Sequence, residues 1–301
     1  MTRATQPDWI ALDWGTSNLR AYAMQGAKPI AQAQSTDGMG KLARNQFEPA
    51  MRALVGDWLT GRRLLVVACG MVGSRQGWVE APYRAVPCTP LSDRLTQAPT
   101  SDGLAVHVIS GLSQQNPPDV MRGEETQIAG FLNLNPGWDG VICLPGTHTK
   151  WTQLSAGEVV SFQTFMSGEL FALLSEASVL RHSVTTDTWD EAAFVEAVDD
   201  AMSKPERIAA RLFGLRAGDL LHNRSASKNK SALSGYLVGA EIAAARPYWL
   251  GQNMAILGTG AQAVAYRVAL DAQGVPALMV DTECATLAGL TAANRSLKAL
   301  S

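Results

Sequence analysis

Cysteine is scarce, charge is sparse and long apolar runs are missing. Four cysteines, at 69, 88, 143 and 284, stand far apart in 301 residues, with no CxxC pair, which excludes a clustered zinc site and a redox dithiol. Cys69 and Cys143 fall in strand-like apolar runs and read as buried, reduced core residues. Charged side chains make up 17% of the chain, against about 25% in an average domain. With 25 basic and 27 acidic residues and no Lys/Arg cluster, a duplex-binding surface is not expected, because phosphate affinity needs several positioned cations. The longest uninterrupted apolar run, Leu64 to Cys69, is far short of the roughly 20 residues of a membrane-spanning helix. The opening MTRATQPDWIALDWG lacks an apolar signal core, so the expected location is cytoplasmic. What is present is globular: a 47% hydrophobic chain long enough for two lobes or one large domain.

Apolar runs bounded by small-residue turns organise the first third. Trp9 to Leu12 reads as a buried strand, Leu19 to Met24 as its hairpin partner, and Pro29 to Gln34 as a third strand. A helix over Phe47 to Leu59 and a strand over Leu64 to Cys69 follow. Residues 70–104, with four prolines and several glycines, suit loops built around a site. A strand over Val106 to Ser110 and a helix over Gly123 to Leu132 precede a break at Asn133 to Gly137. The pattern then recurs, with strands over Gly140 to Leu144, Lys150 to Leu154 and Glu158 to Phe165. Helices are expected near 168–181, 190–202, 205–216 and 230–246. The chain closes with Ala255 to Leu257, Ala261 to Leu270, Ala277 to Val280 and Thr282 to Ser296. Such a repeat predicts two lobes, 1–134 and 135–301, with a cleft between corresponding loops and the last helix returning near the hinge.

Two turns at equivalent points of this repeat carry donors. In Asp13-Trp14-Gly15-Thr16-Ser17-Asn18, a carboxylate ends a buried strand and Gly15, Thr16 and Ser17 offer backbone N–H and hydroxyl groups. That set suits a phosphate with Mg²⁺ held through water, and an ordinary Asx-type hairpin turn is the plainer alternative. Pro145-Gly146-Thr147-His148-Thr149-Lys150 repeats the donors with one cation and no acid. Two such turns suit a nucleotide polyphosphate. Taken singly, Lys150 also fits an outward strand position and His148 an ordinary hydrogen-bonded histidine. A third turn, Gly258-Thr259-Gly260, joins a strand to a helix and lets backbone approach adenine or phosphate. It lacks the remaining glycine of a dinucleotide fingerprint.

Two further stretches suggest the acceptor side. Arg122-Gly123-Glu124-Glu125 puts two acids at a helix start, where the dipole favours them and where one could serve as a general base. Neighbours on a helix point about 100° apart, so only one can face the reacting group. The stretch from Gly70 to Tyr83 gathers Ser74, Arg75, Gln76, Trp78 and Tyr83 among glycines. Arg75 offers a fork for a carboxylate, and Trp78 and Tyr83 offer walls, so a small acidic substrate is expected there, with a surface loop as the alternative. Ser167 reads as a helix cap, and the small residues Ala285 to Gly289 as a close-packing helix surface.

The strings LDWGTSNLRAY, GMVGSRQGWVEAPY, MRGEETQIAGF, LPGTHTKW and FMSGELFALL resemble the 2-dehydro-3-deoxygalactonokinase family, within the acetate and sugar kinase, heat-shock ATPase and actin superfamily. The resemblance spans essentially the whole chain. It implies an α/β fold of two ribonuclease-H-like lobes, with Asp13 to Ser17 and Pro145 to Thr149 as phosphate hairpins and Gly258 to Gly260 as adenosine turn. It implies ATP-dependent phosphorylation of the 6-hydroxyl of 2-dehydro-3-deoxy-D-galactonate with Mg²⁺. By position in the superfamily it implies Glu125 as base, with Glu124 close behind, and Asp13 as the metal's carboxylate. Leu144-Pro145 stands where many members have Asp, which leaves the metal more dependent on Asp13. The expected partners are a sugar acid and ATP, with neither nucleic acid nor membrane and with a homodimer left open. Three alternatives remain: a related 2-keto-3-deoxy acid as acceptor, an exopolyphosphatase-like hydrolase, and a sugar-acid sensor without turnover.

Overall fold

The computed structural model describes residues 6–59, 64–102 and 104–299. The opening five residues of the segment read for a signal core lie outside that set. In chain order the elements are β1 (Trp9–Trp14), β2 (Leu19–Gln25), β3 (Lys28–Ser35), α1 (Phe47–Val55), β4 (Leu65–Gly70), β5 (Arg84–Ala85), β6 (Thr96–Gln97), β7 (Val106–Val108), β8 (Leu112–Gln115), β9 (Pro118–Met121) and α2 (Glu124–Leu134). There follow β10 (Gly140–Leu144), β11 (Thr149–Ser155), β12 (Glu158–Phe165), α3 (Ser167–Glu176), α4 (Arg181–Val184), α5 (Glu191–Ser203), α6 (Ile208–His222), α7 (Ala226–Ala244), α8 (Arg246–Trp249), β13 (Met254–Leu257), α9 (Gly260–Ala272), β14 (Ala277–Val280) and α10 (Thr282–Ala299).

One sheet runs β3-β2-β1-β4-β7-β6 and another β12-β11-β10-β13-β14. In each, a strand pairs antiparallel with its hairpin partner on one side and parallel with a later strand on the other. The recurrence read from the sequence is therefore a recurrence of strand order. A third sheet, β5-β8-β9, takes β5 from the 70–104 stretch expected to form loops and β8 and β9 from beyond it, where no strand is expected.

The chain divides into two compact units: Met1–Trp138 with Ser155–Ser161 and Asp281–Ser301, and Asp139–Leu154 with Phe162–Val280. In the first unit, alternation assigns the two faces of the sheet. Ile10, Leu12, Trp14, Val66 and Ala68 pack with Phe47, Met51 and Trp78, whereas Trp9, Ala11, Val67 and Cys69 pack with Leu290 and Ala293 of α10. The small residues of α10 do bring it close: a Cβ on Gly130 of α2 would lie 1.8 Å from the Ala285 carbonyl oxygen. In the second unit Val141, Cys143, Trp151 and Ile256 form a core with Phe194 and Val198 of α5, Ile242 of α7 and Tyr266 of α9. Cys69 and Cys143 are buried and free, as expected. Ser167 does not cap α3; Met166 is the N-cap and Ser167 opens the helix itself. Among the described residues no helix is long and apolar enough to cross a membrane.

Candidate active site

In the first unit the ends of β1 and β4 meet the start of α2. Gly70 adopts φ +91°, and a Cβ there would stand 2.8 Å from the Trp14 carbonyl oxygen. A Cβ on Gly123, at φ +108°, would lie 3.4 Å from Gly70 Cα. The two left-handed angles and the close Gly70 contact favour glycine strongly over other residues. They bring Asp13, Cys69 and Glu125 into one neighbourhood. Asp13 accepts from Arg20 Nη1 at 3.1 Å and lies 3.9 Å from Cys69 Sγ. Burial raises its pKa, and the Arg20 charge opposes the rise. Cys69 in turn hydrogen-bonds Thr126, and both Asp13 and Glu125 bear on its thiol.

Glu125 is fully buried. Its Oε2 accepts from the Gly123 N–H at 2.7 Å and its Oε1 from Thr126 Oγ1 at 3.1 Å. Burial, reinforced by the neighbouring Glu124 charge, pushes its pKa up to about 8. A carboxyl that titrates near neutrality can take up a proton at working pH. Glu124 is less buried, and its Oε2 accepts the Arg122 backbone N–H at 3.1 Å.

The turn after β1 is braced from below. Gly15 N–H bonds to the Asn18 carbonyl, and the N–H groups of Met39 and Gly40 bond to the carbonyls of Gly15 and Thr16. Gly38 packs so tightly that a Cβ would lie 2.2 Å from the Ser17 carbonyl carbon. Thr16 and Ser17 are left exposed, as donors to an incoming anion would have to be.

In the second unit the other two turns come together. Gln262 Nε2, on the first turn of α9, donates to the Gly146 carbonyl at 2.9 Å, which ties the Gly258–Gly260 turn to the hairpin between β10 and β11. Gly260 takes φ +77° as α9 begins. Beside them lies a cavity of about 640 Å³ lined by Gly146, Thr147, Phe171, Trp189, Leu237 and Gln262 among others. Its size and apolar walls suit a nucleoside. Sequence reasoning did not name Phe171, Trp189, Leu237 or Gln262, which reach the cavity from four helical or loop segments without a local motif.

The structure corrects several expected roles. Thr149 is fully buried, with Oγ1 3.0 Å from Tyr266 Oη. It belongs to a network around buried Glu241, which accepts from Trp151 Nε1 and Tyr266 Oη at 2.8 Å each and from Ser167, so its hydroxyl faces inward and not toward a phosphate. Trp78 is 3% exposed and stacks on Phe47 at 6.4 Å. It fills the core and walls no substrate pocket. Arg75 is exposed and its Nε stands 3.5 Å from a Glu80 carboxylate oxygen of the same loop, so its side chain is turned to solvent. The arginine which that loop does enclose is Arg122, whose Nη2 donates to the Ala81 carbonyl at 2.8 Å. Of the remaining expected residues, His148 pairs with Glu169 at 2.5 Å, Lys150 Nζ donates to the His148 carbonyl, Ser74 is buried, Gln76 and Thr259 are exposed, Gly258 abuts Ala263, and Tyr83 is half exposed.

Among the described residues no three His, Cys, Asp or Glu side chains gather as a metal cage. A magnesium ion that arrives on nucleotide phosphates needs only one or two carboxylates, and Asp13 fits that requirement.

The sequence profile of the 2-keto-3-deoxy-galactonokinase family matches residues 13–293. The 2-dehydro-3-deoxygalactonokinase of Escherichia coli (strain K12) is 34% identical over 287 residues, 94% of this chain and 96% of that protein. A crystal structure of a protein from Sinorhizobium meliloti, provisionally assigned as a 2-dehydro-3-deoxygalactonokinase, superposes with a TM-score of 0.90 at 36% identity, covering 96% of this chain and 99% of that one. The activator of 2-hydroxyisocaproyl-CoA dehydratase from Clostridium difficile, solved with bound ADPNP, shares the fold at a TM-score of 0.53 and 11% identity, over 97% of this chain and 96% of that one. With its actin-like ATPase fold and a match that runs nearly end to end, the chain belongs to the 2-keto-3-deoxy-galactonokinase family.

Proposed function

We propose that this protein transfers the γ-phosphoryl group of ATP to the 6-hydroxyl of 2-dehydro-3-deoxy-D-galactonate. The observation that carries the chemistry is Glu125, a buried carboxyl at the start of α2 with its pKa pushed up to about 8. Phosphoryl transfer passes through a loose transition state, so alignment and charge neutralisation do most of the work. Glu125 takes the proton of the attacking hydroxyl at a carboxylate oxygen, and the Gly123 N–H and Thr126 hydroxyl hold that carboxylate in place. Thr16, Ser17, Thr147 and the backbone N–H groups of their turns offer donors to phosphate oxygens. The cavity beside Gly146 and Gln262 holds the adenosine between apolar walls. Magnesium, carried on the nucleotide, supplies charge neutralisation when bound, with Asp13 as its carboxylate.

A coupled ADP-release assay over 2-keto-3-deoxy acids of galacto and gluco configuration tests the proposal. Release should require acceptor and favour the galacto acid. ATP hydrolysis that proceeds equally without acceptor would assign the chain to phosphohydrolases, and nucleotide binding without turnover on any acid would leave a sensor.

A further inference from the structure

The arginine enclosed by the loop after β4 is short of partners. Arg122 is 8% exposed. Its Nη2 donates to the Ala81 carbonyl, and its guanidinium carbon stands 4.3 Å from the centre of the Tyr83 ring. Its Nε and Nη1 are buried and meet no acceptor among the described residues. Arginine keeps its charge in any protein environment and carries five N–H donors, so one carbonyl and one ring face leave both charge and donors largely unmatched. Glu124 does not answer this need through its contact with Arg122, because that bond goes to the Arg122 backbone N–H.

The same loop holds a second orphan. Ser74 is 5% exposed, and its Oγ is buried without a partner among the described residues. Its neighbour Gly73 lies against the guanidinium: a Cβ there would stand 2.9 Å from Arg122 Nη1 and 2.8 Å from Val108 Cγ1. Glycine at 73 thus admits the cation, and the residue after it carries the unused hydroxyl. Buried polar groups in folded proteins are nearly always paired, and exceptions call for an unseen partner. A cation with spare N–H groups beside a spare hydroxyl asks for an anion that also accepts from neutral donors, and a carboxylate satisfies both.

We propose that Arg122 is the receptor for the carboxylate of the acceptor substrate, with Ser74 as an accessory donor. This rests on the reading that the acceptor is a sugar acid. It also identifies which part of that acid the protein selects: the charged end, at a guanidinium that meets no carboxylate among the described residues. Tyr83 stacks over the guanidinium and is 44% exposed, so on this proposal its ring is the part of the enclosure that yields to the ligand. Neutral sugars of the same length cannot supply the missing charge and are rejected by the unpaired donors they leave behind.

Arg122→Met, which keeps the buried stem and removes the charge, provides the test, read as steady-state kinetics and thermal shift with 2-dehydro-3-deoxygalactonate or ATP as single ligands. The KM for the acid should rise about a hundredfold or more, and the KM for ATP should change less than about twofold. The unliganded melting temperature should stay level or rise, because an unpaired buried charge has been removed. Stabilisation by the acid should vanish while stabilisation by ATP persists. Arg122→Lys, which keeps a charge without the planar fork, should fall between the two. The methyl ester of the acid should be a poor acceptor for the wild type and no worse than the free acid for Arg122→Met. Equal stabilisation of wild type and variant by the acid overturns the proposal, as does a lower unliganded melting temperature with the acid response intact, which would make Arg122 a packing residue. No acid response in the wild type would overturn the sugar-acid reading itself, and this proposal with it.

Discussion

Gly289 of α10 lies so close to Thr126 of α2 that a Cβ on the glycine would sit 1.9 Å from the Thr126 carbonyl oxygen. Thr126 follows Glu125 and donates its hydroxyl to that carboxyl, so the helix contact sets where the candidate base stands. Gly289→Ala must push the helices apart, at a cost of about 1–3 kcal/mol. Urea denaturation should show that loss, and the folded variant should lose turnover more than ATP affinity.

Replacing Glu125 by Gln keeps its shape and removes its basicity. Turnover should fall about 10²- to 10⁴-fold, with the KM for ATP within about twofold. In the wild type kcat/KM should rise with pH toward a plateau beyond about 8, following the raised pKa, and the variant should lose that rise. Equal loss of turnover and ATP affinity, or loss of neither, would remove Glu125 from the mechanism.

The same carboxyl makes stability depend on pH in a stated direction. In the fold Glu125 holds its proton to about pH 8, whereas its ordinary value is 4.5. Between those values the unfolded chain binds fewer protons than the native one, so this group's contribution falls as pH rises. Glutamine is neutral in both states. The melting temperature of Glu125→Gln relative to wild type should therefore climb from about pH 5 to about pH 8, and a flat difference would contradict the assignment.

Trp189, half exposed on the wall of the cavity in the second unit, offers a flat apolar face. Trp189→Ala should weaken ATP binding about tenfold, or ~1.4 kcal/mol, without altering the KM for the sugar acid. Isothermal titration with a non-hydrolysable ATP analogue measures it.

Glu241 accepts from Trp151, Tyr266 and Ser167 in the core. Glu241→Leu leaves those buried donors without their acceptor, at about 1–3 kcal/mol each. The variant should be strongly destabilised or fail to accumulate, whereas Glu241→Gln, which can still accept from some of them, should lose less.

Much of the architecture could be read from periodicity. β12 and β14 fall where alternating or apolar runs place them, over Glu158–Phe165 and Ala277–Val280, and the repeated strand–turn–strand pattern is a repeated strand order. The β8–β9 hairpin was missed because Ser113-Gln114-Gln115 and Pro117-Pro118 carry neither apolar alternation nor β-branched residues. Trp78 misled because an aromatic among glycines serves equally as a wall or as core, and only its stacking on Phe47 decides. Thr149 has the chemistry of a phosphate donor, but its partner Tyr266 is 117 residues away and no local pattern announces it. Arg122 stood beside the acids that drew attention, and its lack of partners is a property of packing, invisible in a string of letters.

The first unit is not one stretch of chain. It is made of Met1–Trp138, Ser155–Ser161 and the segment from Asp281 onward, and α10 in that last segment brings Leu290 and Ala293 to the sheet face of Trp9, Val67 and Cys69. During synthesis, therefore, the face of α2 that carries Gly130 waits uncovered while the whole second unit is made. A protein cut once after Trp138 would yield an N-terminal piece with a bare apolar sheet and an unsupported α2. The last helix to be made is thus the one that completes the packing around α2.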